Sequence, residues 1–171
     1  MKYILLITFI ILFNGLPKNI EKKVFKEIES TFEIEDFEII GVSIDPAISK
    51  TLPSEFGKDN LFKIISKETF YGYAYVSQAA SKTALFDYLV LLDKDLVVIK
   101  TKVLIYREEY GGEIGSKRWL KQFIGKTQDD NLKYGQDIIA ISGATISVRS
   151  FTESINNFLK SIQILHKQNI L

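Results

Sequence analysis

Thr145 and Ser147, two residues apart and directly after Ser142-Gly143-Ala144, are the side chains of this chain best placed to do chemistry. The apolar run Ile138-Ile139-Ala140-Ile141 before them predicts a strand, and Val148, Phe151, Ile155, Phe158, Leu159 and Ile162 after them recur at helical spacing. The hydroxyls therefore stand where a helix begins. The first N–H groups of a helix have no partner within it, and the aligned peptide dipoles leave partial positive charge there. A phosphate is the natural guest. Gly143 lets the backbone turn sharply or approach a ligand, and Ala144 adds little bulk. A plainer use of the same residues is capping, since Ser and Thr lead at the N-cap, and the residues alone leave both uses open.

Composition removes most other chemistries. The chain of 171 residues, 46% apolar, suffices for one well-packed domain. With no cysteine there is no disulfide, thiolate nucleophile, Cys-ligated iron–sulfur cluster or c-type haem attachment. His166 is the sole histidine and lies in the charged C-terminal tail, which argues against Ser-His-Asp hydrolysis and multi-His metal sites. No catalytic residue and no metal ligand is assigned. A net charge of +1 implies no strong electrostatic attraction to nucleic acid. Redox work would need a borrowed cofactor.

The elements that must position the turn are legible in order. Met1-Lys2 followed by the apolar run Tyr3 to Phe13 is too short to span a bilayer but fits a secretory signal or an N-terminal anchor over residues 1–16. A domain over 17–171 follows. Ile20, Val24, Phe25, Ile28 and Phe32 form one stripe of a helix starting near Asn19, a plausible N-cap. A strand is expected within Asp36 to Asp45, then a loop or short helical turn to Asn60. Leu61 to Ser66, Phe70 to Gln78, Leu85 to Leu92 and Leu96 to Tyr106 read as strands, and their short connectors predict antiparallel hairpins. Leu85 to Leu92 is apolar at nearly every position, so both its faces should be covered, as in a central strand. Tyr71, Tyr73 and Tyr75 read as sheet packing. Gly111-Gly112 reads as a turn or a ligand-facing backbone. Trp119 and Phe123, four apart, are consistent with a short helix whose rings enter the core.

Ser142-Gly143-Ala144-Thr145 resembles the flavinylation motif D-x-x-[ST]-G-A-[TS] of the FMN-binding domain family, which includes the flavin-carrying subunits of the Rnf complex and of the sodium-pumping NADH:quinone reductase. The motif's Asp falls on Ile139, with Asp137 two residues earlier. The likeness extends over about Tyr71 to Leu159. Tyr71-Gly72-Tyr73-Ala74-Tyr75-Val76 and its hairpins are similar to the family's sheet. The stretch Tyr106 to Gly115 falls where the family has a glycine-rich loop, here without the Pro. Trp119-Leu120-Lys121-Gln122-Phe123-Ile124-Gly125-Lys126 resembles its W-L-x-x-F-x-G-K segment.

The resemblance implies an α+β fold: an antiparallel sheet of five or six strands, an N-terminal helix, a short helix near 116–125 and a C-terminal helix near 146–165. It implies FMN joined to Thr145 by a phosphoester bond, installed from FAD by an ApbE-type flavin transferase. Ser142, Gly143, Ala144, Ile146 and Ser147 would cradle the phosphate. The flavin ring would lie against the loop of Tyr110, Gly111, Gly112 and Glu113, with Tyr110 or Trp119 able to stack on it. The protein would be an extracytoplasmic or membrane-anchored electron carrier rather than a self-sufficient enzyme, with a membrane redox donor or acceptor as partner. Two alternatives remain: a module holding FMN or another phosphorylated ligand non-covalently, and a structural or interaction domain of the same fold without cofactor.

Overall fold

The computed structural model describes residues 15–57 and 59–171. The segment expected to be a signal or anchor lies almost wholly outside them. Helix α1 (Lys18–Phe32) precedes strand β1 (Glu38–Gly41) and a single helical turn, α2 (Pro46–Ser49). Strands β2 (Leu61–Ser66), β3 (Thr69–Ala80), β4 (Leu85–Asp93) and β5 (Val98–Ile105) follow, then α3 (Lys117–Leu120) and the long α4 (Thr145–Lys167). Two 3₁₀ turns, Gly112–Gly115 and Lys121–Phe123, flank α3.

The strands form one meander in the order β1-β2-β3-β4-β5, every pair antiparallel. Short hairpin connectors make this the cheapest topology, because sequential strands then pair as neighbours. Gly72 faces Asp93 across the β3–β4 ladder. A Cβ there would sit 2.0 Å from the Leu92 carbonyl oxygen, so glycine alone fits that crossing.

Alternation along the strands divides the core into two layers. On one face, Ile20, Val24 and Ile28 of α1 pack with Ile39, Ile64, Ala74, Val76, Leu89, Leu91 and Leu104. On the other, Val148, Phe151, Ile155, Phe158, Leu159 and Ile162 of α4 pack on Tyr75, Phe86, Tyr88, Val90 and Leu92. Both faces of β4 are thus covered, as its unbroken apolar run requires. It is an interior strand beside the edge strand β5, and β3 is the central one. Tyr73 and Tyr75 are buried in the sheet's packing, Tyr75 stacking on Phe158 at 4.3 Å.

The α+β class, the antiparallel sheet of five strands and the helix at each end agree with expectation. Several details differ. Helix α1 starts one residue before Asn19, with Pro17 at the N-cap and no side-chain cap. The first strand is only Glu38–Gly41. The Ile138–Ile141 run is not a strand: it pairs only through an isolated bridge from Ile138 to Tyr134. Other groups hold it in place. Ile139 donates its N–H to Gln122 Oε1 at 2.8 Å and accepts from Trp119 Nε1 at 2.8 Å, so side chains take the place of a neighbouring strand. No described helix is long and apolar enough to cross a membrane.

Candidate functional site

Residues 141–144 reverse the chain in a tight turn, with Ala144 N–H donating to Ile141 O at 3.1 Å, and α4 begins immediately after. The N-cap is Ala144, which has no side-chain oxygen, and no side chain caps the helix. The capping use of Ser142, Thr145 and Ser147 is therefore not the one adopted. The first bond of α4 runs from Val148 N–H to Ala144 O at 2.9 Å. The amides of Thr145, Ile146 and Ser147 find no protein acceptor among the described residues. Three free donors and the positive end of a long helix dipole coincide at one point.

They open into a cleft of about 370 Å³ lined by Gly143, Ala144, Thr145, Ile146 and Ser147 on one side. Lys82, Tyr106, Glu108 and Tyr110 line the other. Thr145 is exposed to it, while Ser147 is buried, its Oγ 3.0 Å from the Tyr106 hydroxyl. The two hydroxyls thus have different fates: Ser147 joins the wall, and Thr145 keeps its oxygen free. Tyr110 stands at the mouth, 78% exposed.

The opposite wall is built by a carboxylate. Glu108 Oε1 lies 2.6 Å from Ser81 Oγ and accepts from Thr83 N–H at 2.7 Å, while Thr83 Oγ1 lies 3.0 Å from Oε2. The Ser81 hydroxyl, then the Thr83 amide, hold its carboxyl below the ordinary glutamate value. Ser150 of α4 donates to Ala80 O just before this turn, so helix and hairpin are tied together. Lys82 is carried on that clamped turn and is the one cation lining the cleft among the described residues. Arg107 is occupied elsewhere, with Asp87 at 2.6 Å and Leu85 O at 2.7 Å.

The Gly111 loop abuts the Thr145 turn. Gly111 has φ 79°, and a Cβ on it would lie 2.6 Å from the Ala144 Cβ. The approach needs the smallest residue on one side and nearly the smallest on the other, which is what Gly111 and Ala144 supply. Gly112 and Glu113 open the following 3₁₀ turn and are exposed, outside the cleft lining. Trp119 is only 5% exposed and packs on Phe123 and Phe151, so it braces the core rather than presenting a face at the cleft. Its indole nitrogen holds Ile139 O, and the Ile139 side chain, where the flavinylation motif has Asp, is 68% exposed. Asp137 does not stand in for it, because its carboxylate accepts from Lys133 N–H within its own turn.

Lys82, Tyr106 and Glu108 are the lining residues that sequence reasoning did not single out. Lys82 lies in a short hairpin connector, and only strand register brings it to the cleft. For Glu108 a signal existed: its carboxylate in a loop matches the Ser81 and Thr83 hydroxyls in a turn. The pairing, though, spans the length of a hairpin.

No curated protein matches the chain. Among solved structures, it is similar to NqrC of Shewanella oneidensis, with 14% identity and a TM-score of 0.59 over 90% of this chain and 98% of that one. At that identity the likeness is one of fold. Residues 86–160, which include both cleft tyrosines, Glu108 and the uncapped start of α4, match the model of the FMN-binding domain family.

Proposed function

We propose that this protein is a flavoprotein electron carrier in which Thr145 Oγ bears FMN through a phosphoester bond. The observation that carries the reading is the free Thr145 hydroxyl beside three unpartnered amides at the head of α4. A phosphate on that oxygen would accept from those amides and lie in the field of the helix dipole. Lys82 supplies a counter-charge from the facing turn, and Glu108 holds that turn in place. Tyr110 and Tyr106 offer aromatic surface beside the phosphate. Gly111, Gly112 and Glu113 lie outside the cleft lining and would border the ring where it extends past the mouth along the Tyr110 to Gly115 loop, with Glu113 able to bond a ring nitrogen or the ribityl chain. Bound flavin supplies one- or two-electron chemistry; the chain supplies position and surroundings.

The same reading makes residues 17–171 the FMN-binding domain and residues 1–16 an export signal or anchor, with an ApbE-type flavin transferase as maturation partner. A membrane donor or acceptor would then exchange electrons with the flavin outside the cytoplasm. A covalent link suits that location, where lost cofactor is not replaced from a metabolite pool.

Ile139 at the motif's acidic position favours a second reading, in which the cleft holds FMN or another phosphorylated ligand without a bond. Intact mass separates the two. Co-expressed with a flavin transferase, the chain should gain the mass of FMN less one water and fluoresce on a denaturing gel, and Thr145→Ala should do neither. Bare polypeptide mass in cells with an active transferase removes the covalent reading. Yellow colour lost on precipitation then supports the second.

A further inference from the structure

A second concavity, of about 310 Å³, lies on the other side of the Gly112–Gly115 turn. Its lining is Lys100, Thr101 and Lys102 of the edge strand β5, with Gly115, Lys117, Leu120, Lys121 and Ile124 from the α3 segment. Four lysines contribute to it and no carboxylate does. Glu27 of α1 reaches two of them, at 3.4 Å from Lys100 and 3.3 Å from Lys102, so one negative charge serves two positive ones. Lys117 and Lys121 have no ion-pair partner among the described residues. The positive charge of Lys117 and Lys121 is thus left for an incoming anion to offset. Leu120 and Ile124 add apolar surface to the lining, and Ile124 is 48% exposed.

We propose that this groove is the docking site of a protein that presents a cluster of Asp and Glu side chains around an apolar centre. Charge complementarity selects an acidic occupant, and apolar surface beside charged groups is the anatomy of a protein interface. The concave shape selects a protein over a bilayer, since a flat surface of head groups would meet protruding lysines and leave the floor uncovered. Position gives the site a use. Gly111 touches the Thr145 turn and Gly115 lines the groove, and four steps along a 3₁₀ turn amount to about 8 Å. A partner seated here lies close to the Thr145 turn. The surface itself stands whether or not the cleft holds a flavin.

The test is a titration of the isotope-labelled full chain with N-acetyl-octaglutamate at low salt, followed by amide NMR. Shifts should gather on 100–102 and 115–124. The K100Q/K102Q/K117Q/K121Q variant should bind about tenfold more weakly or worse, while K18Q/K22Q/K133Q/K160Q, which removes equal charge from exposed positions elsewhere, should change affinity less than about twofold. Raising salt should erase the difference. K117Q/K121Q alone, which leaves the Glu27 pairs intact, should show part of the loss if the fourfold variant fails to fold. Equal loss in both fourfold variants, shifts outside the groove, or no binding would overturn the proposal. So would phosphatidylglycerol vesicles moving the groove signals when the peptide does not, which would make the surface a membrane contact. Running the titration on the Thr145→Ala protein as well keeps the outcome separate from the flavin reading.

Discussion

The two faces of the sheet are covered by helices of similar amphipathic design and quite different neighbours. Under α1 the buried layer is mainly Ile, Val and Leu, with Phe62 the one buried ring and the pairs Phe25–Phe37 and Phe32–Tyr71 at its margin. Under α4 it is a network of rings. Phe151 alone meets Phe86, Tyr88, Trp119 and Phe123 at centroid distances from 5.0 to 5.9 Å, all four pairs tilted or edge-on. Aliphatic side chains fill space, whereas ring pairs also prefer particular angles. The hydroxyl-bearing turn sits at the end of the helix whose packing is angular. Stability is shared between the faces, while placement of the site falls to one.

Removal of the Phe151 ring should have the largest effect. Phe151→Ala should cost about 3–5 kcal/mol in chemical unfolding, and because Phe151 lies less than two turns from Thr145 it should also lower flavin incorporation in the protein that remains folded. Ile28→Ala, fully buried on the other face, should cost about 2–5 kcal/mol yet leave incorporation per folded molecule unchanged. If Ile28→Ala lowers incorporation as much as Phe151→Ala, the division of labour is wrong.

Smaller changes sharpen the picture at the cleft itself. Thr145→Ala should shift stability by no more than about 0.5 kcal/mol, because an exposed side chain outside any cap is removed. Glu108→Gln should act mainly through pH. The folded-state carboxyl sits below the ordinary value of 4.5. Its stabilising contribution is thus full above that value and disappears as pH falls through the lower, folded-state one. Thermal unfolding of wild type and Glu108→Gln should therefore converge on acidification below pH 4.5 and separate at neutral pH, with Glu108→Gln the less stable. A constant gap across that range would mean the carboxylate's charge is not what holds the Ser81 turn.

Local pattern made much of the fold legible. The α1 stripe, the hairpin connectors and the uninterrupted apolar run of β4 each carry their period in a few adjacent residues. Pattern failed where distant groups decide. Ile138–Ile141 has strand composition, but the Trp119 indole and the Gln122 amide hold it where a ladder would. Trp119 reads equally well as a stacking ring or a core ring until the position of Phe151 is known. At the cleft, the Ser142–Ser147 turn was visible because its residues are consecutive. Lys82 was not, because it reaches the site through the β3–β4 hairpin and the Glu108 clamp.

Helix α4 has 23 residues, about 35 Å at the usual rise, and Thr145 is its first. Anything fixed to that oxygen is mounted on the tip of a rod gripped along most of its length, and so inherits the rod's aim. Reorienting such a cargo would take a rotation of the whole rod against the sheet. Adjustment to an incoming molecule would then fall to the exposed side chains of the facing wall, Tyr110 and Lys82.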